Sequence, residues 1–314
     1  MNSQAVISTP DPLIIVIEPF GGSMRQHSPQ LPLLFWDDAA VTRGEGVFET
    51  LLIHKGRPAN LSRHAARFQA SARLLGLPEP VLENWIKATE EAGQQWYREH
   101  GMDAKCVWTY TRGRAATGIP SAWLTMTAID ATVLAQREGG IKVCTAPRGY
   151  RLDTPTELPA MGTSTEEDNA PVTPWMVLGA KTLGYAANMT ALRWARANDF
   201  DDVIFTDGSR VLEGATSTII TVRGNKFRTP LSGGDILPGT TQAAIFDYAR
   251  QQGWNCKAKV MNLEYLLEKA DSVWLVSSVR IASRVKRIDG QKLRRPENST
   301  QLRKLFSKAL TAAN

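Results

Sequence analysis

Gly179-Ala180-Lys181-Thr182-Leu183-Gly184-Tyr185 sets a single amine in an otherwise uncharged run, with Val177 and Leu178 just before it. Apolar surroundings disfavour an ammonium and favour the neutral, nucleophilic amine. Further along, Leu212-Glu213-Gly214-Ala215-Thr216-Ser217 places a carboxylate in a strand-like stretch whose neighbours Val211, Ile219 and Ile220 are apolar. Each residue alone has an ordinary reading: a solvated surface lysine, and an edge-strand glutamate facing water. Gly214 is the less ordinary feature. Glycine weakens a strand and often marks a close approach of ligand or backbone.

Working outward, the 314 residues are enough for two cores, and 43% apolar with 22% charged content is that of a globular protein. No apolar run approaches the ~20 residues that span a bilayer, and Leu13–Ile17 reads as a strand, so a cytoplasmic protein is expected. The three cysteines, Cys106, Cys144 and Cys256, are widely spaced and odd in number, which argues against a disulfide framework. None of the four histidines pairs at a metal-ligand spacing, so no metal is expected. The formal charge of +6 suits a mildly basic surface or anionic ligands. The arginines read as scattered, without interleaved aromatics, so nucleic acid is not an expected partner.

The pattern is α+β. Residues 13–60 read as strands and turns, with a hairpin at Thr50–His54 and Lys55-Gly56-Arg57-Pro58. A helix capped by Asn60 or Ser62 runs to Leu75, before Gly76. A second helix covers Val81 to about Glu99, with Thr89 and Gly93 interrupting its apolar stripe. Strands follow at Cys106–Thr111 and Ala122–Met126. The polar stretch 135–140 is the best linker candidate, dividing a domain of residues 1–134 from one of residues 141–314. Beyond it come a strand at Ile141–Ala146, an aperiodic loop from Asp153 to Pro174, and a helix at Ala186–Ala197. A strand at Val203–Thr206 turns through Asp207-Gly208 into one long strand from Val211 to Val222. A helix at Thr240–Gln251 and a buried strand at Ser272–Val276 complete the reading.

Several residues could carry chemistry beside Lys181 and Glu213. Leu237-Pro238-Gly239-Thr240-Thr241-Gln242 leads into a helix, whose first amides and threonine hydroxyls can bind a phosphate or simply cap the helix. Ser277-Ser278 follows a buried strand and is either a second phosphate contact or a plain turn. Arg67 lies one turn after Arg63, on the same helix face, and could reach a phosphate. Arg112 ends a strand, where it could grip a carboxylate as a bidentate fork or sit at the surface. A lysine that holds an aldehyde covalently and an acid that keeps a pyridine nitrogen protonated are the two groups pyridoxal phosphate chemistry needs.

Taken in order, Arg43-Gly44-Glu45-Gly46-Val47-Phe48-Glu49-Thr50, Arg63-His64-Ala65-Ala66-Arg67-Phe68, Lys181–Tyr185, Leu212-Glu213-Gly214, Ile236–Thr241 and Val276-Ser277-Ser278 resemble the class IV aminotransferase family. These are pyridoxal phosphate enzymes of fold type IV. The resemblance covers about Pro32 to about Gly290. It implies a small N-terminal α/β-sandwich domain, a larger C-terminal pseudo-barrel domain, a cofactor between them, and a homodimer. By the same resemblance, Lys181 is the attachment lysine and proton-transfer base, and Glu213 partners the pyridine nitrogen. Arg67, Thr240, Thr241, Ser277 and Ser278 hold the phosphate. Phe48 walls the site, and Arg112 meets a small amino or carboxylate substrate.

Within the family, Lys181–Tyr185 and Thr111-Arg112-Gly113 look most like aminodeoxychorismate lyase, which releases pyruvate and 4-aminobenzoate for folate synthesis. Branched-chain and D-amino acid aminotransferases share much of the pattern. A binding protein that kept the fold without catalysis stands furthest away, since it needs neither Lys181 nor Glu213.

Overall fold

The computed structural model describes residues 9–149, 177–232 and 234–311. The chain forms two compact units: one runs to Leu134 and includes Lys181–Leu183, and the other comprises Ala135–Ala180 and continues from Gly184. The Asp153–Pro174 loop of the sequence reading lies outside the described residues. Among those residues, no helix is long and apolar enough to cross a membrane.

The first unit contains β1 (Leu13–Ile17), β2 (Met24–His27), α1 (Ala39–Arg43), β3 (Gly46–His54), β4 (Arg57–Pro58), α2 (Leu61–Leu74), α3 (Leu82–His100), β5 (Ala104–Thr111) and β6 (Ala122–Ala128). Its six strands form one antiparallel sheet in the order β2-β1-β6-β5-β3-β4. The β3–β4 hairpin turns at Lys55 and Gly56, both at positive φ (49° and 79°), the geometry whose twist matches paired strands. Helices α2 and α3 share a core with the sheet. Its centre is Phe68 of α2, whose ring meets Trp85 of α3 at 4.8 Å and Trp108 of β5 at 5.3 Å, both edge-on. Such contacts add about 0.5–1.5 kcal/mol beyond burial.

Thr89 and Gly93, the interruptions in the α3 stripe, prove to be buried with the rest of it. The Thr89 hydroxyl donates to the Trp85 carbonyl (2.6 Å) and accepts from the Trp108 indole N–H (2.7 Å). A Cβ at Gly93 would lie 2.9 Å from the Gly56 carbonyl oxygen, so only glycine lets α3 come this close to the hairpin. Both residues therefore answer to tertiary contacts that helical periodicity does not encode.

Helix α4 (Ala131–Gly139) carries the chain across the division between units. The stretch 135–140, the linker candidate of the sequence, is mostly helix. It reads as polar because Gln136 alone is buried among its described residues. The second unit continues with β7 (Ile141–Pro147), α5 (Ala186–Ala197), β8 (Asp202–Asp207), β9 (Arg210–Gly214), β10 (Thr218–Arg223) and β11 (Lys226–Pro230). Then follow α6 (Thr240–Gln251), β12 (Asn255–Lys259), a π-helical turn at Tyr265–Lys269, β13 (Ser272–Ser277), β14 (Ile281–Ile288), β15 (Gln291–Lys292) and α7 (Ser299–Thr311).

The sheet order is β12-β11-β10-β13-β14-β7-β8-β9, with β15 on β14. Central β13 is buried on both faces, which is why it reads as an unbroken apolar run. Val273 and Leu275 enter one core with Ile141 and Val285, while Trp274 and Val276 enter another with Phe246 of α6 and Phe306 of α7. The single strand expected from Val211 to Val222 is instead two. At Gly214 the chain folds back, its amide donating to the Ser217 carbonyl (2.8 Å). Consequently β9 pairs with β8, whereas β10 pairs with β11 and β13.

Replacing Thr89 by valine keeps the shape but removes the acceptor from a buried indole. The expected loss is about 1–3 kcal/mol of unfolding free energy. Urea denaturation of Thr89→Val measures it, and an unchanged midpoint would dismiss this hydrogen bond as a structural element.

Candidate active site

In the first unit, Lys181–Leu183 rests on the edge of β3. At its far end β3 pairs with β4, but the Gly46–Phe48 end is met by Lys181–Leu183. The Phe48 amide donates to the Lys181 carbonyl (3.0 Å), and the Leu183 amide to the Gly46 carbonyl (2.8 Å). The Lys181 amide donates to the Ser71 hydroxyl on α2 (3.0 Å). A Cβ at Gly46 would lie 2.6 Å from Leu183 Cδ1 and 2.8 Å from the Tyr110 carbonyl oxygen, so this seat needs glycine. The Lys181 amine lies over the Phe48 ring, 4.1 Å from its centroid. Phe48 and Lys181 therefore stand together.

Beside them lies a group that sequence reasoning did not single out. Glu49 is fully buried, and its carboxylate takes a fork from Arg67, Nε to Oε1 at 2.6 Å and Nη2 to Oε2 at 2.8 Å. His64 Nδ1 lies 2.7 Å from Oε2. A signal for this was present in the chain. Strand alternation puts Glu49 on the same face as Val47, Leu51 and Ile53, and a carboxylate on a core face must be paired.

Burial is the strongest influence on Glu49 and would raise its carboxyl. The charges and hydrogen bonds of Arg67 and His64 together outweigh it and hold the group at about 2. Burial also leads at His64. It lowers the imidazole, and the Glu49 charge and hydrogen bond only partly oppose it. The Glu49 fork fixes the orientation of the Arg67 guanidinium on α2. Arg112 is placed differently. It is paired with Glu45, donates to the Leu75 carbonyl (2.7 Å) and the Gly76 carbonyl (3.2 Å), and is half-buried.

The second unit holds the remaining expected residues. Glu213 Oε1 accepts from Arg148 Nη2 (3.0 Å), and Oε2 accepts from the Leu237 amide (3.2 Å). Arg148, at the end of β7 and nearly buried, was not singled out from the sequence. Thr240 and Thr241 open α6 and are buried. The cap residue Gly239 offers no side-chain oxygen, and a Cβ there would lie 2.3 Å from Thr218 Oγ1. Ser277 ends β13, and Ser278 lies in the turn to β14. That turn is held by Arg137, whose Nε donates to the Val279 carbonyl (3.2 Å), and by the Arg280–Asp202 ion pair. It closes at Ile281, a β-branched residue at φ 59°, which costs about 1–3 kcal/mol.

As a donor set these residues fit pyridoxal phosphate. There is an amine for the aldehyde, an oriented carboxylate for the ring nitrogen, and a helix start with hydroxyls for the phosphate.

The Glu49 cluster has a signature in acid. Both of its titrating groups have folded values below their ordinary ones, so both stabilise at high pH. The His64 contribution is complete above about 6.5 and is lost as pH falls through its lower folded value. The Glu49 contribution is complete above about 4.5 and is lost as pH falls toward about 2. The thermal midpoint should therefore drop from about pH 6.5 downward and more steeply below about 4.5. Glu49→Gln should lower the midpoint at neutral pH and flatten its acid limb; curves that merely run parallel would take Glu49 out of this account.

Comparison with known proteins gives the same reading from an independent direction. A bifunctional aminodeoxychorismate lyase / D-amino acid transaminase of Mycobacterium tuberculosis is 38% identical over 294 residues, covering 91% of this chain and 94% of that one. A hypothetical aminotransferase of the same organism, solved in a PLP-bound form, superposes with a TM-score of 0.86 at 33% identity, over 97% of this chain and 100% of that one. A fold IV transaminase from Curtobacterium pusillum superposes with a TM-score of 0.82 at 31% identity, over 96% and 98%. Fold type IV, expected from the sequence, is thus the fold observed. The family model for amino-transferase class IV matches residues 46–288, from the β3 glycine that seats the lysine to the end of β14, and the chain belongs to that family of pyridoxal phosphate enzymes.

Proposed function

We propose that this enzyme is a 4-amino-4-deoxychorismate lyase, releasing pyruvate and 4-aminobenzoate for folate synthesis. Fixation of Lys181 on β3, with its amine over the Phe48 ring, is the observation that carries a catalytic reading, since a binding module needs no anchored amine. The 38% identical relative, named for both lyase and D-amino acid transaminase activities, supports the choice of reaction.

In this proposal Lys181 attaches the cofactor and then, released, takes the proton from the substrate's Cα. When bound, pyridoxal phosphate supplies an electron sink for the pair left by that proton. Glu213 would partner the ring nitrogen, and Arg148 with the Leu237 amide holds its side chain in position. Arg67, fixed by Glu49, binds the phosphate together with Thr240, Thr241, Ser277 and Ser278. Phe48 walls the site. Arg112 takes a substrate carboxylate, for which its present pairing with the Glu45 carboxylate is a chemical precedent. After proton loss the substrate expels pyruvate, and aromatisation of its ring drives the reaction forward.

D-amino acid transamination is the second reading. It uses the same base; the 34% identical M. tuberculosis aminotransferase solved with alpha-ketoglutarate and PMP supports transamination, and the 38% identical relative is named for D-amino acids. We place the enzyme as a homodimer, supported by the exposed apolar side chains of Phe20, Leu31, Phe35 and Trp36.

Purified protein should be yellow and should lose that colour on borohydride reduction, with the cofactor mass on the Lys181 peptide. Lys181→Ala should be inactive and lack the covalent adduct. Aminodeoxychorismate, assayed beside D- and L-amino acids with 2-oxoglutarate, should give pyruvate and 4-aminobenzoate. Amino-group exchange without aromatic product would replace the lyase by the transaminase.

A further inference from the structure

The second unit carries a cavity of about 690 Å3, walled by the start of β7 and by the β14–β15 hairpin with the residues that follow it. Seven of its eight lining residues are Lys or Arg, and the eighth is Leu293. None of the residues assigned to the cofactor belongs to this wall. The basic residues, read from the sequence as scattered, are here gathered into one concavity.

The backbone is shaped to aim them. In a regular strand Lys286 and Arg287 would point to opposite faces. The pairing of β14 with β7 slips at this point, so that Val285 faces Ile141 while Arg287 faces Lys142. A bulge of this kind re-aims side chains, and Arg284, Lys286 and Arg287 all line the cavity. Gly140, at φ +70°, gives them room: a Cβ there would lie 2.6 Å from the Arg284 carbonyl oxygen and 3.2 Å from Lys286 Cγ. The Leu293 amide donates to the Lys286 carbonyl (2.9 Å), and Arg294 and Arg295 follow it into the wall.

Countercharge is scarce. Lys142 meets the exposed Asp199 at 2.6 Å, but among the described residues no acid lines the cavity itself. Asp289, in the hairpin turn, accepts from the Thr145 amide and hydroxyl (2.7 Å each). Arg303 pairs with Glu138. Burial first, then the charges of Arg295 and Arg303, hold the Arg284 guanidinium below its ordinary value. Cations packed this way repel one another, and an anion between them relieves that repulsion.

We propose that this cavity is a second ligand site, binding a small, multiply charged anion of the polyphosphate class. Its volume lies in the range of small-molecule sites. Guanidinium forks suit phosphate oxygens. No aromatic side chain in the wall offers a stacking surface for bases, which sets a small polyphosphate above single-stranded nucleic acid.

Isothermal titration of the PLP-loaded protein with tripolyphosphate, at constant ionic strength, tests this. Saturable one-to-one binding is expected. Arg294→Glu combined with Arg295→Glu, both exposed positions, should weaken it at least about tenfold by removing the phosphate contacts. Lys226→Glu combined with Lys257→Glu makes the same change of charge on exposed strands elsewhere and should leave it intact. The cofactor's visible spectrum reports that each variant is folded. Equal weakening in both variants would overturn the site in favour of a general surface field. Binding found only in cofactor-free protein would reassign it to the cofactor's own phosphate site, and tighter binding of a single-stranded oligonucleotide would reassign it to nucleic acid.

Discussion

The first unit is organised around one buried carboxylate. Removing Glu49 from water is costly, and only the joint presence of His64 and the Arg67 fork makes its position tolerable. Breaking such a pair costs about 3–5 kcal/mol, because the surviving charge is left in the interior. The same constraint ties α2 to β3, and α2 also carries Ser71, which accepts the Lys181 amide. An electrostatic requirement inside the core thus fixes both the orientation of Arg67 and the helix on which the lysine segment leans.

Elements defined by local pattern were legible in the chain. Helix α6 starts and stops where its threonines and periodicity place it, and β13 reads as buried because it is buried on both faces. Elements defined by distant partners were not. The fold-back at Gly214 depends on β8 and β13 competing for consecutive halves of one apolar stretch, and nothing within that stretch records the competition. Thr89 and Gly93 looked like defects in an amphipathic helix because their partners, Trp108 and Gly56, lie on other elements.

The site shows the same division. Lys181, Phe48, Glu213 and the α6 threonines were candidates because their segments follow one another in the order of a known family, although each residue alone has an ordinary reading. Glu49 and Arg148 act by holding other residues, and a holding role is visible only once distances are known. Arg112 illustrates the converse, since its residue type suggested a clamp and its surroundings already supply a carboxylate and two carbonyls. Six of the seven basic residues of the cavity fall between Arg284 and Arg295, but the bulge and hairpin that turn them to one wall are not visible in the chain.

Lys181–Leu183 belongs with the first unit, while the chain on either side of it belongs with the second. In folding terms, the Lys181 amine reaches its seat by a contact of very long sequence separation. Closing so large a loop is entropically expensive and slow compared with forming the local hairpins. The Gly46–Phe48 edge of β3 must therefore wait, with its polar groups open, for a segment synthesised much later. A ribosome-bound first unit would present that bare edge to solvent, and cotranslational protection of it becomes a demand that the architecture itself places on the cell.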